Sequence, residues 1–134
     1  MILNNEVEMA LRLVLAGGLG AVIGYQREHI GKPAGLRTHA LISMGSALFT
    51  VAGSYAFSGG DPTRIAAGVV AGIGFLGAGA ILHRHRSIEG LTTAATMWVV
   101  AAIGLAAGAG MYIIAPVTTV LTLLILFLPH NENQ

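Results

Sequence analysis

The sequence predicts an all-α membrane protein, a bundle of about five transmembrane helices. Two observations carry that prediction. Hydrophobic residues make up 54% of the 134 residues and charged residues only 10%, against about a quarter charged in a soluble domain. The apolar residues also gather into five stretches near the length needed to cross a hydrocarbon core, about 20 residues. A soluble fold of this size could not cover so much apolar surface, so lipid is the solvent that fits. One transmembrane domain is expected over 1–134.

The first span runs over about 7–25. Glu6 and Glu8 precede its Arg12, so the start lacks a basic region and reads as retained helix rather than a cleaved signal. Glu8 and Arg12 stand four apart in the favourable order for pairing. Gly31-Lys32-Pro33 then breaks the helix. The second span covers about 36–57 and ends at Ser58-Gly59-Gly60-Asp61-Pro62, where Asp61 fits an N-cap and Pro62 a first helical position. The third covers about 65–82 and is separated by Ser87-Ile88-Glu89-Gly90 from the fourth, about 91–109. Gly108-Ala109-Gly110 gives only a tight hairpin before the fifth, about 111–128, in which Pro116 predicts a kink. A four-span arrangement with a re-entrant segment is the alternative. Pro129 to Gln134 forms a short polar tail.

Positive charge orients the bundle. Arg27, Lys32 and Arg37 follow span one, and Arg84 and Arg86 follow span three, while the other side has only Arg12 and Arg64. That places the N-terminus outside and the C-terminus inside. A parallel two-hairpin repeat is suggested by matches at an offset of 55 residues. Gly35-Leu36 matches Gly90-Leu91, Gly17 matches Gly72, and Gly24 matches Gly79.

Small residues let transmembrane helices approach closely. Span three carries Gly68, Gly72, Gly74, Gly77 and Gly79, so it is expected at the centre, packing tightly or lining an opening for an ion. Span five is bulky all round after Pro116 and is expected at the lipid-facing edge. A homo-oligomer, a dimer first, would use a leftover glycine face.

Span two holds a polar stripe. His39, Ser43, Ser46, Thr50 and Ser54 are spaced by four, three, four and four, which puts them on one helical face at about 100° per residue. They form either a polar path through the bundle or a set of hydroxyls bonded to nearby carbonyls. His39 is either a proton sensor or relay, or a hydrogen-bonded residue at a helix end. At the inner surface Arg27, Glu28, Arg37 and Glu89 are expected to pair as a charged network, because isolated charge near a low-dielectric boundary is costly. The same cations could instead hold an anionic lipid head group or an acidic partner. His83-Arg84-His85-Arg86 reads as a solvated basic loop. Trp98 and Tyr112 fit interfacial anchors, although Trp98 lies deep enough to pack between helices.

Other functions are disfavoured by what the sequence lacks. It has no cysteine, hence no thiol nucleophile or cysteine metal site. No nucleotide loop, nucleophile–base pair or zinc-protease motif is visible, so neither an enzyme nor a cofactor is expected. A net charge of +1 offers no nucleic-acid footprint. No carboxylate stands in the middle of any span, and Mg²⁺ asks for oxygen ligands. No metal site is expected.

Four segments together resemble the bacterial MgtC/SapB family. They are Gly24-Tyr25-Gln26-Arg27-Glu28, then Ala34-Gly35-Leu36-Arg37-Thr38-His39-Ala40-Leu41, then Gly74-Phe75-Leu76-Gly77-Ala78-Gly79-Ala80-Ile81, and Gly90-Leu91-Thr92-Thr93-Ala94-Ala95-Thr96-Met97-Trp98. The resemblance implies a multi-pass protein of the bacterial inner membrane, associated with growth in low magnesium and with survival inside host phagocytes. It implies a regulator of membrane energetics rather than an enzyme, with the proton-driven ATP synthase as a proposed membrane partner. By motif, Arg27, Arg37, Thr38, Gly74, Gly77, Gly79, Thr92 and Trp98 are the residues that would carry the role. Two positions depart from the pattern. Gln26 stands where many relatives have Glu, and Thr92 where some have Asn. Many relatives also continue into a soluble C-terminal domain, so regulation through such a domain is not expected of a chain that stops at Gln134. The function expected is therefore a non-enzymatic membrane regulator. The alternatives are a small cation or proton transporter, and a lipid-binding scaffold resting on the inner basic loops.

Overall fold

The computed structural model describes the backbone of residues 2–57, 59–84 and 87–129, and the side chains of 5–57, 59–81 and 90–129. Within these, five helices run up and down in sequence. They are α1 (Ile2–His29), α2 (Leu36–Tyr55), α3 (Pro62–Ala80), α4 (Leu91–Gly108) and α5 (Ile114–Leu126). Between α3 and α4 lies a short antiparallel hairpin, β1 (Leu82–Arg84) with β2 (Ser87–Glu89), pairing His83 with Ile88. Sequence reading placed only a break there. Three helices are long and apolar enough to cross a membrane: α1 over Asn5–His29, α3 and α4. The polar stripe lowers the hydropathy of α2, and α5 has only 13 residues.

Which side chains face outward identifies the solvent. Val14 (71%), Phe49 (63%), Phe75 (84%) and Ile125 (64%) are strongly exposed, whereas His39, Ser43, Ser46, Thr93 and Thr96 are buried. Water would favour the reverse. A bilayer favours this arrangement, since polar groups must find partners inside the protein.

Local chemistry sets the helix ends. The Asp61 carboxylate accepts from the Thr63 backbone N–H at 3.0 Å and from its hydroxyl at 2.7 Å, capping α3 with Pro62 in the first turn. Those donors hold the Asp61 carboxyl below the usual carboxylate range. The cap is therefore intact at neutral pH and is lost as pH falls through that lowered value. Gly90 adopts φ +87, a left-handed conformation that glycine alone adopts without strain, at the entry to α4. Pro116 does not kink α5. It sits in the first turn, where its missing N–H has no intrahelical partner to lose.

The centre of the bundle is α4, not span three. Helix α4 packs against each of the other four. Its Val100, Ile103 and Ala107 join Ala16 and Ile23 of α1, Ala47 of α2 and Ala115 of α5 in the main core. A second core joins Ile73 of α3 to Met97 and Ala101. The glycines explain the difference. A Cβ at Gly104 would collide with the Ser43 carbonyl of α2, and one at Gly108 would stand 2.7 Å from the Ala47 carbonyl. At the start of α2, a Cβ at Gly24 of α1 would stand 2.6 Å from the Gly35 carbonyl. By contrast, Gly68, Gly72, Gly74 and Gly79 of α3 have open space beside them, and Gly77 meets only Ala94, at 3.6 Å. The two hairpins are thus not packed alike. Gly24 lies close against the start of α2, while a side chain at Gly79, its partner at the offset of 55, would meet open space. Helix α5 packs on α1 and α4 and exposes Val120, Leu121 and Leu124.

This packing predicts a contrast between two glycine substitutions. Gly104→Val overpacks the α2–α4 contact and should cost about 1–3 kcal/mol, read as a lower melting temperature of the detergent-solubilised chain. Gly74→Ala enters open space and should change stability by less than about 0.5 kcal/mol. Equal losses in the two variants would contradict a centre at α4.

Candidate functional site

The polar stripe of α2 faces inward as a ladder. His39, Ser43, Ser46 and Thr50 are all buried; Ser54, at the helix end, is exposed and does not join them. At the middle, Ser46 Oγ donates to the Ala101 carbonyl of α4 at 2.6 Å, and Thr50 Oγ1 donates to the Ser46 carbonyl at 2.8 Å. The Ser43 hydroxyl has no partner among the described residues.

Above them stands a mixed cluster from three helices. His39 Nδ1 lies 2.9 Å from the Gly35 carbonyl. A carbonyl only accepts, so Nδ1 carries the hydrogen. His39 Nε2 lies 2.9 Å from Thr96 Oγ1, and Thr96 Oγ1 lies 2.7 Å from the Thr93 carbonyl. The Thr96 hydroxyl has one hydrogen and two acceptors within reach. With a neutral ring it donates to Nε2; with a protonated ring Nε2 donates and the hydroxyl turns to Thr93. Arg27 of α1 completes the cluster, donating from Nη2 to Thr93 Oγ1 at 3.0 Å.

The expected network of Arg27, Glu28 and Arg37 does not form. Among the described residues the one ion pair is Glu8–Arg12. Arg27 turns inward to a threonine and is 3% exposed. Glu28 Oε1 instead accepts from the Leu36 backbone N–H at 3.4 Å, a weak tie at the start of α2. Arg37 and Thr38 are exposed. The Glu89 side chain and those of His83, Arg84, His85 and Arg86 lie outside the described residues. Thr92 is half-buried and, with Arg27 and Lys32, lines a pocket of about 410 Å³ at this end of the bundle. Gln26 Oε1 is buried without a partner among the described residues. Trp98 is 56% exposed rather than packed between helices, because α4 turns Leu91, Ala95, Trp98 and Ala102 outward. Gly74 and Gly79 are exposed, and Gly77 is buried.

The opposite end holds a second constellation. Arg12 Nη2 lies 3.0 Å from Glu8 Oε1, Nη1 donates to the Gly108 carbonyl at 3.0 Å, and Nε donates to the Tyr112 hydroxyl at 3.2 Å. That hydroxyl donates in turn to Glu8 Oε1 at 3.2 Å. The guanidinium also stands 5.6 Å from the Tyr55 ring centre and 5.9 Å from that of Tyr112. It ties the ends of α1, α2, α4 and the start of the α5 segment. Sequence reading paired Glu8 with Arg12 and named Tyr112 only as an interfacial anchor; it missed Tyr55, and it quoted Thr93 and Thr96 without selecting them. Their signal was available. They stand three apart on α4, as hydroxyl partners for a histidine and an arginine on other helices.

Among the described residues no three His, Asp or Glu side chains gather as metal ligands. Fold and site thus define a class, a helical membrane protein whose polar groups are drawn inward to its helix contacts. A family model of the MgtC family matches residues 13–133, and the chain belongs to that family. YhiD of Escherichia coli (strain K12), by name a candidate magnesium transporter, is 51% identical over 132 residues, covering 92% of this chain and 61% of that protein. Protein MgtC of Brucella abortus (strain 2308) is 47% identical over 108 residues, covering 79% of this chain and 45% of that protein. Protein SrpB of Synechococcus elongatus is 45% identical over 132 residues, covering 88% and 72%. The chain therefore spans about three-fifths or less of the YhiD and MgtC relatives. No solved structure matches.

Thr96→Val removes the hydroxyl shared by His39 and the Thr93 carbonyl. Leaving the buried ring nitrogen unpaired should cost about 1–3 kcal/mol, measured as thermal stability in detergent. Thr38→Val, on the exposed side of α2, should leave stability unchanged. The comparison separates a working polar cluster from a general intolerance to lost hydroxyls.

Proposed function

We propose that this chain is a non-enzymatic, multi-pass regulator in the bacterial inner membrane, linked to magnesium homeostasis or membrane energetics and acting through a membrane protein partner. The link to magnesium rests on membership of the MgtC family and on the name of the E. coli relative. The observation that carries the regulator over a carrier is the closure of the α2 ladder. The Ser46 and Thr50 hydroxyls and both His39 ring nitrogens are engaged inside the protein. A conduction path would need such groups free to replace an ion's hydration shell, and Mg²⁺ sheds water reluctantly. The free surface lies elsewhere, on the open glycine side of α3. There a groove of about 610 Å³ runs between α2 and α3, with Leu41, Phe49, Gly68 and Gly72 in its walls. Small residues along an apolar groove suit a neighbouring transmembrane helix.

The second reading, a small cation or proton transporter, draws on the unpartnered Ser43 hydroxyl between His39 and Ser46. Two measurements separate the readings. Purified chain in liposomes should pass no magnesium, other cation or proton current above empty liposomes; a flux that Ser46→Leu abolishes would establish the transporter. A photoreactive side chain at Phe75 should trap one distinct membrane protein in native membranes. Recovery of self-adducts alone would replace the hetero-partner with a homo-oligomer.

A further inference from the structure

We propose that the pocket at the Arg27 end of the bundle binds the head group of one anionic phospholipid. Its polar side is built from Arg27 at the end of α1, Lys32 in the following loop and Thr92 in the first turn of α4. Among the described residues that line it there is no carboxylate. The inference goes beyond the regulator reading and stands whether or not the chain conducts.

Three independent features converge on an anion. The first is Arg27. A guanidinium carries five N–H donors, and the described residues satisfy one of them, through Thr93 Oγ1. Its Nε has no partner among the described residues, although the side chain is 3% exposed. A buried guanidinium with donors to spare calls for an acceptor with several oxygens, and phosphate meets that fork with two parallel hydrogen bonds. The second is Lys32, a half-buried cation on the same wall. The third is the start of α4. Gly90 supplies no side-chain cap there, and an anion at that position would meet the positive end of the helix dipole and the first backbone N–H groups.

The rest of the lining selects the kind of anion. Ile30, Leu91 and Ala95 stand beside the cations, and Ile125 and Leu126 from the end of α5 close the wall. A free phosphate would leave these side chains without contact. A phospholipid supplies both a phosphate for the cations and glycerol and acyl carbons for the apolar part of the wall. Its place at the ends of three apolar helices puts it where head groups lie.

The test uses the full chain in detergent, analysed by native mass spectrometry with added phosphatidylglycerol, phosphatidylcholine or inorganic phosphate. One phosphatidylglycerol per chain should be retained in preference to phosphatidylcholine, and excess inorganic phosphate should not displace it. Lys32→Gln should weaken retention about fivefold, the share of one cation near a charged membrane surface. Ala95→Phe should fill the pocket and abolish retention. Arg37→Gln removes an exposed cation that does not line the pocket and should leave retention unchanged. Arg27→Gln is the stronger but riskier variant, since it also loses the bond to Thr93; the Lys32 and Ala95 variants decide without it. Equal retention of the two lipids, displacement by inorganic phosphate, or equal weakening by Arg37→Gln and Lys32→Gln would overturn the proposal. So would a lipid still held by the Ala95→Phe chain.

Discussion

Helix α2 is held against α1 and α4 by close approaches at which glycine removes the side chain. Gly20 and Gly24 of α1 meet the backbone at His39 and at Gly35-Leu36, and Gly104 and Gly108 of α4 meet it at Ser43 and Ala47. In lipid there is no hydrophobic force between helices, so their association relies on close packing and on hydrogen bonds that the approach allows. Both are present here. The missing side chains let backbones come near, and nearness brings Ser46 within reach of the Ala101 carbonyl and His39 within reach of Thr96. The polar ladder is thus a consequence of the glycine contacts, and it also reinforces them. Helix α3 lacks this double support, and it lies as the outer leaf against α4 with much of its surface free.

The number and type of elements were legible in the sequence because a bilayer imposes so few options. Apolar stretches of adequate length punctuated by Gly31-Lys32-Pro33 or Gly59-Gly60-Asp61-Pro62 leave little but a helical bundle. The centre was not legible. Counting glycines favoured span three, yet glycine permits a close approach without stating that a neighbour is there. Gly68-x-x-x-Gly72 and Gly104-x-x-x-Gly108 read alike, and only the second has a carbonyl against it. Local spacing also mispredicted Pro116, because its effect depends on where the helix begins, and α5 begins at Ile114.

The candidate site was half legible for a related reason. Spacing within α2 found four residues that share a buried face, since helical periodicity is a local property. Spacing could not say that the partners would be Thr93 and Thr96 of α4 or the guanidinium of Arg27. Charge arithmetic likewise suggested that Arg27, Glu28, Arg37 and Glu89 would pair as one network. Adjacent residues on a helix point about 100° apart, and the structure sends Arg27 inward to Thr93 and Glu28 toward the start of α2.

The unequal helices have a consequence for the surrounding bilayer. With a rise of about 1.5 Å per residue, the 28 residues of α1 extend about 42 Å and the 13 of α5 about 20 Å. The apolar part of α1, about 7–25, matches a hydrocarbon core of about 30 Å while its polar ends reach beyond it, whereas α5 falls short. The apolar turns flanking α5, at Met111–Ile113 and Phe127–Leu128, supply part of the difference, with backbone bonds such as Ala115 N–H to the Met111 carbonyl covering their polar groups. The remaining mismatch falls on one flank, where lipid must thin to follow the short helix while it stays thick along α1. Elastic strain of that kind, fractions of a kcal/mol per Å, gives the molecule a preferred side for thin membrane. It would draw any two short-sided neighbours together without a single direct contact between them.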